Sequence, residues 1–136
     1  MDTGPLFAAM DVADPDHVAC RDLLRDTNER LIVTVPVLVE TEWLSDSRLG
    51  VGAFDLLLAS VADGGLTLHD LDLEGWSRIR ELRIRYSDRL LGMVDASVIV
   101  AAEHLGEEKI ATLDHRHFRV VRPSHVPSFT LLPDLS

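Results

Sequence analysis

Leu31-Ile32-Val33-Thr34-Val35-Pro36 is the stretch that decides the fold class. Its first five residues form a short β-branched apolar run, the pattern of a strand covered on both faces, and Pro36 then opens an apolar helix reaching to about Leu44. A strand therefore passes straight into a helix. The alternation extends outward in both directions. Upstream, Asp14-Pro15 pairs a capping residue with a proline suited to the first helical position, and Val18, Ala19, Leu23 and Leu24 recur at helical spacing over 16–28. Downstream, Phe54, Leu57 and Leu58 mark the inward face of a helix over 50–62, and the turn Asp63-Gly64-Gly65 delivers a strand, Leu66-Thr67-Leu68-His69. Leu73, Trp76, Ile79, Leu82 and Tyr86 predict a helix over 72–86 with arginines on its other faces, and a mostly apolar helix over 94–105 ends at Gly106. Further strands are expected at Lys109-Ile110-Ala111-Thr112-Leu113 and over 128–132. Parallel neighbours need a crossover, and the crossover helix packs on the sheet. The expected fold is α/β, an α/β/α sandwich with a central, mainly parallel sheet, in a single domain over 1–136.

The composition agrees with a packed domain: 136 residues, 46% hydrophobic and 26% charged, exclude a disordered or fibrous chain. The single cysteine, Cys20, cannot form an intramolecular disulfide, and no four-ligand zinc cluster can be built around it at the usual spacings. No basic, apolar leader follows Met1 and no apolar run approaches bilayer length, so a cytoplasmic location without a membrane role is expected. Thirteen Lys plus Arg against 23 Asp plus Glu give a net charge of −10, the reverse of most free-standing nucleic-acid binders. The cations are unevenly placed. Lys109 is the only lysine, and Arg78, Arg80, Arg83, Arg85 and Arg89 share one segment. On composition alone that segment reads as a solvated helix face, although arginine suits bidentate phosphate contacts and stacking on bases. The chain has no Gly-x-Ser-x-Gly elbow, His-Glu-x-x-His pair, Walker loop or Gly-x-Gly-x-x-Gly loop, which argues against the chemistries those motifs carry.

In parallel sheets ligands collect beyond the carboxyl ends of the strands, so acids at strand ends are considered together. Asp114 follows the strand Ile110-Ala111-Thr112-Leu113, and Asp2 precedes the small-residue turn Thr3-Gly4-Pro5. Glu40 sits in apolar Val37-Leu38-Val39, and Asp95 opens the most apolar helix of the chain. Burying an unpaired carboxylate is costly, so acids among aliphatic residues need a cation, a helix N-terminus or a hydrogen-bond network. Each has a plainer reading. Asp95 suits a helix N-cap, Asp114 a turn, Glu40 an arginine partner, and Asp2 a solvated terminus. Glu42 is an alternative to Glu40. Together, however, four carboxylates at a sheet edge are what hard cations such as Mg²⁺ or Mn²⁺ require. His115 and His117 flank Arg116 in the same turn, where histidine is more often a surface or packing residue than a ligand.

Four motifs, in order, resemble those of PIN-domain ribonucleases, in particular VapC-type toxins. They are Asp2-Thr3-Gly4-Pro5-Leu6; Val37-Leu38-Val39-Glu40 trailed by Trp43-Leu44; Gly92-Met93-Val94-Asp95-Ala96-Ser97; and Ile110-Ala111-Thr112-Leu113-Asp114-His115-Arg116-His117-Phe118. The resemblance spans nearly the whole chain, and its fourth motif is the most specific. It implies a metal-dependent endoribonuclease in which Asp2, Glu40, Asp95 and Asp114 surround one or two Mg²⁺ or Mn²⁺ ions. Asp2 and Asp95 would be the principal ligands, and Thr3 and Thr112 hydrogen-bond partners around them. The spacing to Trp43 and Leu44 favours Glu40 over Glu42.

The resemblance further implies a structured RNA substrate such as a transfer or ribosomal RNA loop, a VapB-type antitoxin and a homodimer. Arg78 to Arg89, with Arg116 and Arg119, would then supply local phosphate contacts. In one respect the sequence departs from the family: only Met1 stands where several apolar residues normally form the first strand, so either the natural start lies upstream or Asp2 is loosely held. Two rival readings remain, a non-catalytic protein-binding module on the same scaffold and an enzyme of the same metal chemistry acting on DNA, as a nuclease, or on a small phosphorylated substrate.

Overall fold

Thr34 ends a strand and starts a helix in a single residue. In the computed structural model, which describes residues 1–135, its extended backbone closes β1 (Ile32–Thr34) while its side chain caps α3 (Val35–Arg48), accepting from the Val37 N–H at 3.4 Å with Pro36 in the first turn. Around this junction lie α1 (Thr3–Met10), α2 (His17–Asp26), α4 (Val51–Ala62), β2 (Thr67–His69), α5 (Leu73–Arg85), a short 3-10 turn (Ser87–Arg89), α6 (Met93–Leu105), β3 (Lys109–Ala111), α7 (His115–Val120) and β4 (Thr130–Leu132). The expected alternation of strands and helices is present. No helix among the described residues is long and apolar enough to cross a membrane.

The strands form two parallel pairs, β1 with β2 and β3 with β4. Met1 and Asp2 lie between the pairs: the Met1 amine donates to the Ile32 carbonyl at 2.9 Å, and the Asp2 N–H donates to the Ala111 carbonyl at 2.8 Å. Two residues thus take the place of a central strand. The core gathers Val33 and Ile110 from the strands with Leu6, Val37, Leu82, Ile99 and Phe118 from the helices, each at most 1% exposed. Gly106, at φ 67°, gives α6 the left-handed C-cap that its sequence announces.

Several sequence expectations are corrected. Thr3-Gly4-Pro5 is the first turn of α1, not a loop, and a Cβ on Gly4 would come 3.3 Å from the Leu113 side chain, so a larger residue there would require Leu113 to shift. Asp14 binds the Asp16 N–H and makes a turn instead of capping α2, which starts at His17. Val18, Leu58, Leu73 and Trp76 stand in solvent, whereas Cys20, Phe54, Ile79 and Leu82 fill the core, because short amphipathic helices on a small sheet bury only a narrow stripe. Residues 115–120, expected as a turn, are helical.

The Thr34 hydroxyl also ties α3 to α6. Ser97 spends its one proton on the Val94 carbonyl at 2.6 Å, so across their 2.8 Å contact Thr34 is the donor. Thr34→Val would strand a buried Ser97 oxygen and an α3 N–H, and we expect a loss of about 1–3 kcal/mol in urea unfolding with an unchanged m-value.

Candidate metal centre

Helix starts, more than strand ends, place the acids. Asp2 is the N-cap of α1, its Oδ1 accepting the Thr3 N–H at 2.8 Å. Asp114 is the N-cap of α7, accepting the His117 N–H at 3.3 Å. Asp95 is the third residue of α6, whose N-cap is Gly92, so the reading of Asp95 as a simple cap fails: its carboxylate is free to face the other acids. A helix N-terminus carries partial positive charge, and three such ends allow carboxylates to sit close together in this fold.

Asp2 is not loosely held. It is only 6% exposed, and the buried Thr112 hydroxyl donates to its Oδ2 at 2.9 Å while accepting the Asp114 N–H at 3.0 Å. Thr112 therefore links the first acid to the fourth. Thr3 contributes its backbone N–H, not its hydroxyl. Glu40 is exposed in the second turn of α3 and pairs with no cation among the described residues. Its charge is nonetheless felt at both Asp2 and Asp95. Glu42, two residues on, is turned by roughly 200° to the other side of the helix.

The tightest group is one the sequence did not single out. Donor atoms of Asp95, Asp114 and His117 all lie within 4.8 Å of one another. His117 Nδ1 is 2.7 Å from Asp114 Oδ2 and 3.5 Å from Asp95 Oδ2, contacts close enough for ion pairs when the ring is protonated, though not directed as a hydrogen bond. Once residues 115–120 are helical, the signal is legible: a residue three beyond an N-cap lies over it. Of the two acids expected as principal ligands, this trio includes Asp95; Asp2 accepts one hydrogen bond on each oxygen, from Thr3 and Thr112, and keeps a further lone pair on each.

Negative charge is in excess here. Burial first, and then the neighbouring Asp2 charge, push the Asp95 carboxyl up to about 6, with Asp114 and Glu40 adding to the rise and His117 opposing it. Burial also raises Asp2, against the pull of its two hydrogen bonds. Two carboxylates and an imidazole nitrogen, backed by a buried third carboxylate, are a donor set that fits a divalent cation and leaves room for water or phosphate as further ligands. A carboxyl raised in the folded state binds protons that the unfolded chain has released, so its contribution to stability is complete below its ordinary 3.8 and is lost as pH rises to about 6. In EDTA the melting temperature should therefore fall across this interval, and a divalent cation should restore it at pH 7. Asp95→Asn should flatten both responses; a thermal melt series that shows the same slopes in the variant refutes the arrangement.

The PIN domain profile matches residues 1–123. Ribonuclease VapC26 of Mycobacterium tuberculosis (strain ATCC 25618 / H37Rv) is 32% identical over 133 residues, which cover 98% of this chain and 98% of that one. The crystal structure of Mycobacterium tuberculosis VapC20, described as a Sarcin-Ricin loop cleaving toxin, superposes with a TM-score of 0.74 at 19% identity, covering 79% of this chain and 83% of that chain. With a family profile over most of its length and a relative similar from end to end, this chain belongs to the PIN domain family and, within it, to the VapC-type proteins.

Proposed function

We propose that this chain is an endoribonuclease dependent on Mg²⁺ or Mn²⁺, the toxin of a toxin–antitoxin pair, acting in the cytoplasm on structured RNA. The observation that carries the reading is the convergence of Asp95, Asp114 and His117, with Asp2 held by Thr112, where no Lys or Arg among the described residues pairs with these acids. Its likeness over 98% of its length to a protein named a ribonuclease supports RNA as the substrate class. A VapB-type antitoxin and a homodimer belong to the same proposal.

Asp95, Asp114 and His117 would hold the ion. Bound there, it supplies a Lewis acid beside the scissile phosphate, lowering the pKa of a water and offsetting charge on the phosphoryl oxygens. Asp2 adds negative charge from below and is oriented by Thr112, an outer partner of the kind that keeps a ligand set aligned. Glu40 is exposed and lines the cleft that Val94, the residue before Asp95, also lines. The N-termini of α6 and α7 complement the anions gathered at the site.

Purified protein incubated with total bacterial RNA should give discrete cuts with Mg²⁺ or Mn²⁺ and none with EDTA. Thr112→Val should slow cutting by about 10–100-fold, the usual effect of losing an outer partner, and Asp95→Asn should slow it further with the circular dichroism spectrum intact. Cuts that persist in EDTA or in Asp95→Asn would sink the metal-dependent reading; equal cutting of single-stranded DNA would redirect the substrate class.

A further inference from the structure

Five arginines crowd the segment 78–89, and the structure sorts them. Arg78 is held by Glu103, through Nε and one terminal nitrogen at 3.0 Å each, and by Glu81 at 3.2 Å. Arg85 lies over the Tyr86 ring, 5.5 Å from its centroid, and Arg89 is 3.9 Å from Asp88. Arg80 and Arg83 face no carboxylate among the described residues. They lie one and two turns beyond Trp76 on one face of α5, and with Trp76 and Met93 they line a shallow groove.

That groove continues. Trp76 and Met93 also line a neighbouring cleft of about 540 Å³ whose other walls include Val39, Trp43 and Glu40. Its surface is mainly apolar, and the two tryptophans stand 69% (Trp43) and 45% (Trp76) exposed, a large cost in water for side chains with nothing to cover them. Glu40 is the residue whose charge reaches Asp2 and Asp95. Val94, the residue before Asp95, lines this cleft together with Glu40, so a path leads from beside Asp95, past Glu40 and the two tryptophans, to two guanidinium groups that face no carboxylate among the described residues.

The order of chemistry along this path identifies its occupant. A phosphate near Glu40 and Asp70 would be repelled unless a cation screened it, whereas further along the groove Arg80 and Arg83 offer the charge that a phosphate needs. Between them lie π-faces, which every nucleobase can stack on. An apolar helix of a protein partner would match the tryptophans and leave both arginines unanswered. We propose that this groove is the path of a single-stranded RNA segment, a base stacked against Trp76 and Trp43 and the adjoining phosphates held by Arg80 and Arg83. The proposal rests on the ribonuclease reading above, which it extends from the cutting site to the means of substrate capture. It also accounts for RNA binding by a chain of net charge −10.

The two tryptophans are the only ones in the chain, so their fluorescence reports on the groove directly. The test uses the Asp95→Asn protein, which leaves the RNA uncut, titrated with a short single-stranded RNA of mixed sequence and with a duplex of the same strand. The single strand is expected to quench the fluorescence and the duplex to bind more weakly. Trp76→Ala should weaken single-strand binding about tenfold, and Trp76→Phe should recover most of it. Replacing both Arg80 and Arg83 by alanine should lower the slope of log affinity against log salt by about 1.4, two phosphates' worth. Unchanged affinity in Trp76→Ala and an unchanged salt slope in the arginine pair overturn the groove as an RNA path. If RNA affinity holds while sedimentation shows Trp76→Ala shifting the oligomeric mass, the groove belongs to a second copy of the chain. The outcomes separate the two proposals: wild-type protein that cuts RNA while the groove variants bind normally removes only this one, whereas protein that neither cuts nor binds RNA removes both.

Discussion

One hydrogen bond carries more of this structure than any other, the bond from the Thr112 hydroxyl to Asp2 Oδ2, made between residues 110 apart in sequence. Through it and the Asp2 N–H bond to Ala111, the start of the chain is fastened to the end of β3. The Met1 amine reaches Ile32 on the other side, so the two parallel strand pairs are joined by these residues. A buried carboxylate without partners would destabilise the fold by several kcal/mol. With a backbone N–H, a hydroxyl and a helix N-terminus around it, the same group becomes the joint between the two halves of the sheet.

Electrostatics follows from that placement. With Asp2 fixed and buried, its charge raises the Asp95 carboxyl, and the fold accumulates more negative charge than its helix ends neutralise. His117 answers part of it, touching both Asp95 and Asp114. The same economy appears on the surface. Within the segment 78–89, Arg78 and Arg89 meet carboxylates, while Arg80 and Arg83 line a groove with Trp76 and Met93. In a chain of net charge −10, where cations sit matters more for an anionic substrate than how many there are.

Much of the fold was legible in advance, for a physical reason. Apolar β-branched runs and helical periodicity are local signals, so β1, β2, β3 and α3 to α6 stand where the pattern put them, within a few residues. The misreadings have a common origin. Gly4 and Pro5 read locally as a turn, yet they lie in the first turn of α1, which the Asp2 side chain caps by accepting the Thr3 N–H. Trp76 has the spacing of a core residue, yet it is exposed, because no neighbouring element covers that side of α5. His117 was weighed as a packing histidine since its turn was not recognised as a helix, and only helical geometry sets it above Asp114.

By itself, then, the sequence determined the α/β alternation, the four acids and the order of the motifs around them, since each rests on residue types within a few positions of one another. Only the tertiary structure decided which atoms meet: that Thr112 secures Asp2, and that Asp95 turns toward Asp114 and His117 instead of capping its helix. It also decided which of the five arginines meet a carboxylate, which lies over a ring, and which line the groove. Those outcomes depend on how distant helices dock on a short sheet, and packing free energy summed over the whole core settles that docking, which local pattern does not encode.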